Sequence, residues 1–407
     1  MKRKIKKYST LLLLATILSS LGHAGSILFY IGVFVIYLPV RNKRVVKDTK
    51  YLLIPIIIAL YIGLFQMPYT LYEVFKDVFY LLSPIVMLML GEIFARKMNS
   101  QDFLMTIVIV GTVFSVITIC GNLVTSGPLI LYDPRTARES DSYFGFTNFY
   151  SLLAWFVLCY WKIYKKNVEL KNISILLFIN FIAIYFSGSR TYWLAVIVVM
   201  LCLFYPYLKV KRYVLVILIA MVFVGVSYIL VSEGYMSGYI RHSFEEMTIS
   251  DYDNEADKNN NYRGYEAFMG LSEFMSYSLY NQLFGGGMGA TVDMGEDSPV
   301  GIQYIPILHN GYIYLLIKIG ILGTILFVFY FLRLIFRYGR WKVSINDGYD
   351  YFWKAISFGS IIAVFIMHFS VTAFFNSQYN TALVFVGFTL TYMKTKILSD
   401  SIKQSIS

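Results

Sequence analysis

Residues 308–332 read LHNGYIYLLIKIGILGTILFVFYFL, and Lys318 is the one permanently charged side chain among them. A helix of about 20 apolar residues is long enough to cross the hydrocarbon core of a bilayer. The stretch therefore predicts a membrane-spanning helix that begins at His309 and Asn310.

The remainder of the chain has the same character. The 407 residues are 57% hydrophobic and only 14% charged, and the mean hydropathy is +0.62. A soluble domain carries about 25% charged residues. This composition excludes a large soluble enzyme domain, and it predicts an all-α polytopic membrane protein in which residues 1–407 form a single integral membrane domain.

The hydrophobic pattern predicts about twelve transmembrane helices, of which the first two are short. Those two form a hairpin broken near residues 19–26, which we expect to be retained because no convincing signal cleavage site follows the basic N-terminus. The other predicted spans are 51–67, 78–95, 103–124, 149–164, 171–187, 190–206, 213–231, 308–332, 354–375 and 377–393.

The net charge of +11 follows mainly from topology. Most Lys and Arg residues fall in alternate loops, which places those loops and both termini in the cytoplasm. Residues 233–306 then form one long external loop that holds half of the 24 acidic residues. The basic residues that topology leaves unexplained are Lys76, Arg135, Arg138, Arg190, Arg241, Lys258, Arg263 and Lys318.

Cysteine and metal chemistry have no support in the sequence. Cys120, Cys159 and Cys202 lie in apolar runs without disulfide or zinc spacing. We therefore expect no metal and no cofactor, and we expect no nucleic-acid partner because the basic excess is accounted for by topology.

Three side chains are predicted to meet at the external face. Arg190 follows a small, flexible turn (SGS at 187–189), Arg263 begins an amphipathic stretch, and His309 precedes a long helix. A guanidinium can bind phosphate and an imidazole can act as a base near neutral pH. The alternatives are interfacial snorkelling for Arg190, a salt bridge to Glu266 for Arg263, and simple helix capping for His309.

Two further features have more than one interpretation. The segment FGGGMG at 284–289 could cradle a phosphate with its amides, but it lacks the Lys and Ser/Thr of a P-loop, so a flexible connection is favoured. Lys318 lies about two and a half turns inside its helix. Its side chain either snorkels to the interface or supports the residues that contact the substrate.

The order of these motifs resembles the O-antigen ligase / O-antigen polymerase family of bacterial envelope proteins. The matching features are an Arg in the loop at 135–138, SGSRT at 187–191, YRG at 262–264, FGGG at 284–287, and HNGY at 309–312 followed by Gly320 and Gly323. Together they cover most of the chain around one external loop.

The resemblance implies a C-type glycosyltransferase fold and a metal-independent, inverting transfer from a glycan carried on undecaprenyl pyrophosphate. It implies that Arg190 and Arg263 bind the pyrophosphate and that His309 is the catalytic base. Arg135, Arg138, Asn310, Tyr312 and Lys318 are further candidates for substrate binding. The expected location is the bacterial plasma membrane, and the expected partners are the lipid-linked donor, a glycan acceptor, membrane lipids, and candidate chain-length regulator and flippase proteins.

Three functions remain open at the level of sequence. A polymerase of lipid-linked repeat units for an O-antigen, capsule or exopolysaccharide is the leading hypothesis. The first alternative is a ligase that transfers a finished glycan to lipid A core or another acceptor. The second is a lipid-linked oligosaccharide flippase or other transporter, which predicts cations near the membrane midplane, where Lys318 alone fits.

Overall fold

The computed structural model describes most of the chain. The described residues are 7–14, 17, 22–40, 44–65, 69–131, 148–163, 172–205, 258, 262–296, 298, 301–343 and 348–406. Arg135, Arg138, Arg241, the predicted span at 213–231 and the acidic run at 251–257 lie outside them.

The first part of the described chain is entirely helical. Its helices are α1 (Gly22–Tyr37), α2 (Arg44–Phe65), α3 (Leu71–Lys97), α4 (Ser100–Ser126), α5 (Asn148–Ile163), α6 (Ile173–Phe186) and α7 (Arg190–Phe204), with a 3-10 turn at Gly127–Leu131 after α4.

In the second part of the described chain, helices lie on either side of a small β-hairpin. The elements are α8 (Tyr262–Ser276), α9 (Leu279–Phe284), β1 (Val292–Asp293), β2 (Tyr304–Ile305), α10 (Gly311–Arg340), α11 (Gly348–Val371), α12 (Ser377–Asn380) and α13 (Ala382–Ile406). The strands pair antiparallel, with Val292 opposite Ile305.

Every predicted span that falls on described residues contains a helix, although residues 372–375, at the end of the span 354–375, lie beyond the end of α11. Within the described part of the chain, α3, α4, α10 and α11 are long and apolar enough to cross a membrane, and shorter apolar helices accompany them. The protein is therefore a helical, multi-pass membrane protein.

Helix α3 starts seven residues before its predicted span because of a capping box. Oγ1 of Thr70 accepts a hydrogen bond from the backbone N–H of Glu73 (3.3 Å), and the Glu73 carboxylate accepts one from the backbone N–H of Thr70 (3.1 Å). These bonds satisfy backbone donors that the first helical turn leaves open. Polar residues thus extend the helix beyond its apolar part.

Close helix packing depends on glycine at two contacts. A Cβ on Gly91 of α3 would lie 2.2 Å from the carbonyl oxygen of Val384 in α13, and one on Gly111 of α4 would lie 2.3 Å from that of Tyr150 in α5. Small residues let membrane helices approach backbone to backbone. Helices α3 and α13, and likewise α4 and α5, are consequently in direct backbone contact.

The described residues between 262 and 296 fold onto the N-terminal end of α10. Gly270 of α8 packs so closely on Leu308 and Ile313 that an added Cβ would lie 2.8 Å from the Ile313 side chain. The hydroxyl of Tyr265 donates to the carbonyl oxygen of Met294 at 2.6 Å, which joins α8 to the hairpin. This packing fixes α8 beside His309.

Candidate active site

An imidazole and a carboxylate meet at the N-terminal end of α10. Nδ1 of His309 lies 2.6 Å from Oε2 of Glu266 in α8, and the backbone N–H of His309 donates a hydrogen bond to Oε1 of the same carboxylate. The side chain of Glu266 is 1% exposed, whereas that of His309 is 47% exposed. The carboxylate therefore holds the ring from its buried side and leaves it accessible.

This contact determines what the imidazole can do. An ionised carboxylate only accepts hydrogen bonds, so the facing nitrogen, Nδ1, carries the proton. The lone pair of the neutral ring is then on Nε2, which can take a proton from a substrate hydroxyl. The same carboxylate stabilises the imidazolium that results. The pair has the geometry of a general base and its orienting acid.

Tyr262 borders the accessible side of this pair. Its ring is almost perpendicular to that of His309, at 87°, and the ring centroids are 6.1 Å apart. Burial, and then the negative charge of Glu266, raise the pKa of Tyr262 to about 12. Its hydroxyl therefore stays protonated at physiological pH.

Asn310 and Tyr312 secure the start of α10. The side-chain oxygen of Asn310 accepts hydrogen bonds from the backbone N–H groups of Tyr312 (3.1 Å) and Ile313 (3.2 Å), as expected of a helix N-cap. The Tyr312 hydroxyl donates to the carbonyl oxygen of Phe365 in α11 at 2.8 Å. These contacts fix the position of His309 relative to α10 and α11.

Gly311 leaves room for a buried histidine. A Cβ at this position would lie 2.1 Å from Cε1 of His368 in α11, and His368 is completely buried. The glycine of the HNGY motif is therefore required by the packing of α11 against the first turn of α10.

The segment between α11 and α13 contacts two of the predicted motifs. The backbone N–H of Thr372 donates to the carbonyl oxygen of His309 at 2.9 Å. Seven residues later, the hydroxyl of Tyr379 lies 3.1 Å from Oγ1 of Thr191. The structure thus connects the His309 motif to the turn that carries Arg190.

Arg190 is the first residue of α7. The turn before it has Gly188 at φ +57°, a left-handed conformation that glycine adopts without strain, and Oγ of Ser189 lies 2.6 Å from Oγ1 of Thr191. The backbone of Arg190 is placed at this helix start, and its side chain lies outside the described part of the structure.

Arg263 lies on the helix that carries Glu266. It is half-buried and precedes Glu266 by three residues, so the two side chains share one face of α8. Both oxygens of Glu266 contact His309. The structure therefore brings Arg263 to the same helix face as the acid–base pair, while Arg135 and Arg138 remain outside the described residues.

The expectation of a flexible connection at the Gly-rich segment is wrong. Residues 285–290 are all buried. Three of their amides donate to neighbouring groups: Gly286 to the carbonyl oxygen of Ile317 at 2.8 Å, Met288 to that of Ala59 at 3.0 Å, and Gly289 to a carboxylate oxygen of Asp77 at 2.8 Å. These amides are already paired within the protein, which is unlike a phosphate cradle.

A kink in α10 makes this packing possible. Gly320 has φ +66° inside the helix, and a Cβ there would lie 2.4 Å from the backbone nitrogen of Gly285. A Cβ on Gly285 would in turn lie 2.4 Å from the carbonyl oxygen of Lys318. Two glycines 35 residues apart in the sequence therefore allow a loop and a helix to meet.

Lys318 is 1% exposed and forms an ion pair with Asp77 of α3. Its ammonium group also donates to the carbonyl oxygen of Ala290, and the Tyr314 hydroxyl donates to Oδ1 of Asp77 at 3.2 Å. Lys318 therefore holds the Gly-rich segment against α3 and α10, rather than snorkelling.

Sequence reasoning missed the roles of Glu266 and Asp77. The sequence indicates Glu266 only as a partner for Arg263, and it gives no role to Asp77. Asp77 lies one residue before the predicted span 78–95, and only the earlier start of α3 at Leu71 brings it inside the helix. The contact of Glu266 with His309 joins residues 43 positions apart, and no spacing rule points to it.

The fold and this site define a class: a polytopic helical membrane protein with a histidine–carboxylate pair at the start of one long helix. A family model described as O-antigen ligase matches residues 175–328, a range that includes Arg190, Arg263, Glu266 and His309. The resemblance to the O-antigen ligase/polymerase family is thereby confirmed, and members of that family are glycosyltransferase-like enzymes. No curated protein matches the chain.

Within the described part of the chain, no group of three or more His, Cys, Asp or Glu side chains is placed to hold a metal ion.

Proposed function

We propose that the protein is a membrane glycosyltransferase that polymerises lipid-linked oligosaccharide repeat units of a surface polysaccharide, such as an O-antigen, capsule or exopolysaccharide. The donor in this proposal is a glycan on undecaprenyl pyrophosphate. The observation that supports it most strongly is the Glu266–His309 pair (2.6 Å) within the range that matches the O-antigen ligase model.

In this proposal the transfer is a single displacement. Nε2 of His309 takes the proton of an acceptor hydroxyl, and the oxygen attacks the anomeric carbon of the donor sugar. The bond from that carbon to the phosphate oxygen breaks, and its electron pair leaves with the polyprenyl pyrophosphate. Attack opposite the leaving group inverts the anomeric centre, and His309 then loses its proton to water.

The leaving group needs positive charge. Arg263, on the same face of α8 as Glu266, and Arg190, at the start of α7, would bind the pyrophosphate as it departs. Guanidinium groups bind phosphate oxygens in a bidentate manner, and fixed charges of this kind stabilise a developing anion without a metal. Asn310 and Tyr312 would contribute by holding the start of α10.

The cellular setting in this proposal follows from the family resemblance together with the predicted topology. We place the protein in the bacterial plasma membrane with about twelve spans in a C-type glycosyltransferase arrangement, both termini in the cytoplasm and the site at the outer face. Flippase and chain-length regulator proteins would supply the donor and limit the product.

A ligase is the second candidate function, because the matching family model is described as O-antigen ligase. The chemistry at His309 would be the same, with a finished glycan as donor and lipid A core or another acceptor. Transport loses its one supporting residue, since Lys318 is neutralised by Asp77 in a buried contact.

The test is the surface glycan profile of a deletion strain complemented with wild type, Arg190→Ala, Arg263→Ala or His309→Ala. Arg340→Ala is the matched control, because Arg340 is an exposed residue at the opposite end of α10 from His309. We expect the control to restore the long-chain ladder and the three site variants to lose it.

The products that remain distinguish the candidates. Single repeat units still attached to their acceptor identify a polymerase, whereas long chains that accumulate on the lipid carrier identify a ligase. Normal profiles from all three site variants, at wild-type protein levels, would contradict both.

A further inference from the structure

Both backbone groups of His309 are held from outside α10. Its N–H donates to Oε1 of Glu266, and its carbonyl oxygen accepts from the N–H of Thr372 at 2.9 Å. His309 precedes the N-cap Asn310, whose carbonyl oxygen accepts from the N–H of Tyr314 at 3.0 Å and begins the hydrogen bonds of α10. The peptide group between His309 and Asn310 therefore takes its orientation from Thr372.

Thr372 has a backbone conformation that is unusual for its side chain. Its φ is +46°, in the left-handed region, where a side chain branched at Cβ is sterically disfavoured. Residues in such conformations persist only where their surroundings determine them, and they are common at functional sites. Glycine would adopt the same φ without strain. What threonine adds at this position is its side chain.

The turn after α11 fixes the backbone of Thr372. The carbonyl oxygen of Thr372 accepts from the N–H groups of Phe375 at 2.8 Å and Asn376 at 3.1 Å. The N–H of Phe374 donates to Nδ1 of His368 in α11 at 3.4 Å. Because this turn is anchored on α11, the N–H of Thr372 has a fixed direction.

The side chain of Thr372 contacts α3. Its Oγ1 lies 3.2 Å from the hydroxyl of Tyr80, and either group can donate the hydrogen bond. The ring of Tyr80 meets that of Tyr314 in α10 edge to face, with the centroids 5.5 Å apart, and its centroid lies 5.4 Å from that of Phe375. Thr372 is 5% exposed, so removing the Tyr80 hydroxyl would leave a buried hydroxyl without this partner, which costs free energy.

We propose that the hydroxyl contact between Thr372 and Tyr80 positions His309. It holds Thr372 in the left-handed conformation from which the Thr372 N–H meets the carbonyl oxygen of His309. With both of its peptide groups fixed, His309 keeps Nδ1 at Glu266 and Nε2 free to act as a base. Tyr80 and Thr372 act through His309, so both are positioning residues. The effect on catalysis rests on the proposed function, whereas the placement of the imidazole does not.

The experiment compares variants that remove or retain this hydroxyl contact. Tyr80→Phe and Thr372→Val remove it with little change in shape, and Thr372→Ser retains it. Tyr349→Phe is the matched control, because the Tyr349 hydroxyl donates to Oγ of Ser100 at 2.8 Å at the opposite end of α11. Full-length protein in lipid nanodiscs, without glycan, is isotopically labelled at the histidine nitrogens. Nitrogen NMR then shows which nitrogen of His309 carries the proton, with the His309 signals assigned by their absence in His309→Gln.

We expect the proton of His309 to be on Nδ1 in wild type, Thr372→Ser and Tyr349→Phe. In Tyr80→Phe and Thr372→Val the ring should populate both tautomers. An unchanged Nδ1–H form in these two variants would overturn the proposal. The same conclusion would follow if Thr372→Ser behaved as Thr372→Val, or if Tyr349→Phe behaved as Tyr80→Phe.

Glycan transfer by the same variants separates this role from the proposed function. We expect kcat to fall by about tenfold or more in Tyr80→Phe and Thr372→Val, with KM for the donor nearly unchanged, because misplacement by about 1 Å can cost about 10²-fold. Wild-type kcat in both variants would overturn the positioning role. If wild type transfers no glycan but the tautomer of His309 responds as expected, the glycosyltransferase function is contradicted and the placement of His309 by Thr372 stands.

Discussion

Glu266 decides which nitrogen of His309 carries a proton. It meets Nδ1 with one oxygen and the backbone N–H of His309 with the other. A side chain that contacts a residue twice fixes both the position of its backbone and the rotation of its ring. The function of His309 as a base therefore depends on Glu266 of α8, a helix that is distant from His309 in sequence.

Glu266→Gln is expected to reduce turnover far more than donor affinity. The amide can still accept from the backbone N–H, but its NH2 group can donate to Nδ1 and favour the tautomer with the proton on Nε2. General base catalysis contributes roughly 10²- to 10⁴-fold, so we expect kcat to fall by at least about 10²-fold with KM nearly unchanged. Kinetics with purified protein measure this.

The control for this variant is Glu296→Gln, at an exposed position, which should keep wild-type kinetics. An unchanged kcat in Glu266→Gln would show that the carboxylate does not orient the base.

Gly311→Ala is expected to destabilise the protein and to displace the start of α10, because the added Cβ would meet the ring of His368. Thermal unfolding in detergent is the measurement. Gly32→Ala is the control, since nothing lies within 4 Å of a Cβ at Gly32 in α1 and alanine favours a helix. Equal melting temperatures for the two variants would contradict the packing of His368 under Gly311.

The sequence predicts His309 at a helix start and Arg263 near it, because residue type and local spacing are sufficient for both. It does not predict the roles of Glu266 or Thr372, because each contacts His309 from a segment that is distant in sequence. Arg190 and His309 are also far apart in sequence. The sequence therefore does not show that the segment from Thr372 to Tyr379 contacts both of their motifs.

At the scale of elements, the Gly-rich segment and α10 are held together by a buried ion pair. Asp77, Lys318 and Tyr314 form one hydrogen-bonded network with the amide of Gly289. Removing one partner of a buried pair leaves the other charge uncompensated, which costs about 3–5 kcal/mol. This network holds the Gly-rich segment against α3 and α10.

A double-mutant cycle tests this network. Lys318→Met should lower stability by about 3–5 kcal/mol, and adding Asp77→Asn should recover part of the loss because the isolated charge is removed. Denaturant or thermal unfolding of the purified protein gives the values, with Lys342→Met at an exposed position as control. Equal stabilities of the single Lys318→Met and the double variant would contradict the ion pair.

Glu273 makes the stability of the folded protein depend on pH. Burial, and then the charge of Asp293, raise the pKa of Glu273 above its usual range. The folded protein binds this proton more tightly than the unfolded chain, so stability rises as pH falls through the raised pKa and is lower above it.

Glu273→Gln is therefore expected to raise the melting temperature at neutral pH and to lose this advantage in acid, where wild-type Glu273 is protonated. Melting curves between acid and neutral pH measure the difference, with Glu296→Gln as control. A melting temperature of Glu273→Gln below that of wild type at neutral pH would contradict a raised pKa for Glu273.

The helices themselves were readily predicted, because each span is a long apolar run. Their ends were less predictable: polar caps such as Thr70 and Glu73 extend α3 beyond its apolar residues. The rigidity of the Gly-rich segment could not be predicted, since glycine content alone does not show that Gly285 and Gly320 face one another.

At the scale of the whole molecule, the described part of the segment from 262 to 305 connects the membrane bundle to the site. It supplies Arg263 and Glu266, rests on the first turn of α10, and returns to the bundle through a buried loop. A lipid-linked substrate would approach such a site from the bilayer, whereas a soluble acceptor would approach from the accessible side of His309.

The most direct test of the central claim is glycan transfer by the purified protein in lipid vesicles, with a polyprenyl-pyrophosphate-linked repeat unit and a chelator present. We expect wild type and Arg340→Ala to extend the glycan and release polyprenyl pyrophosphate, and His309→Ala to be slower by at least about 10²-fold while still binding the donor. Extension by His309→Ala at the wild-type rate would contradict the account.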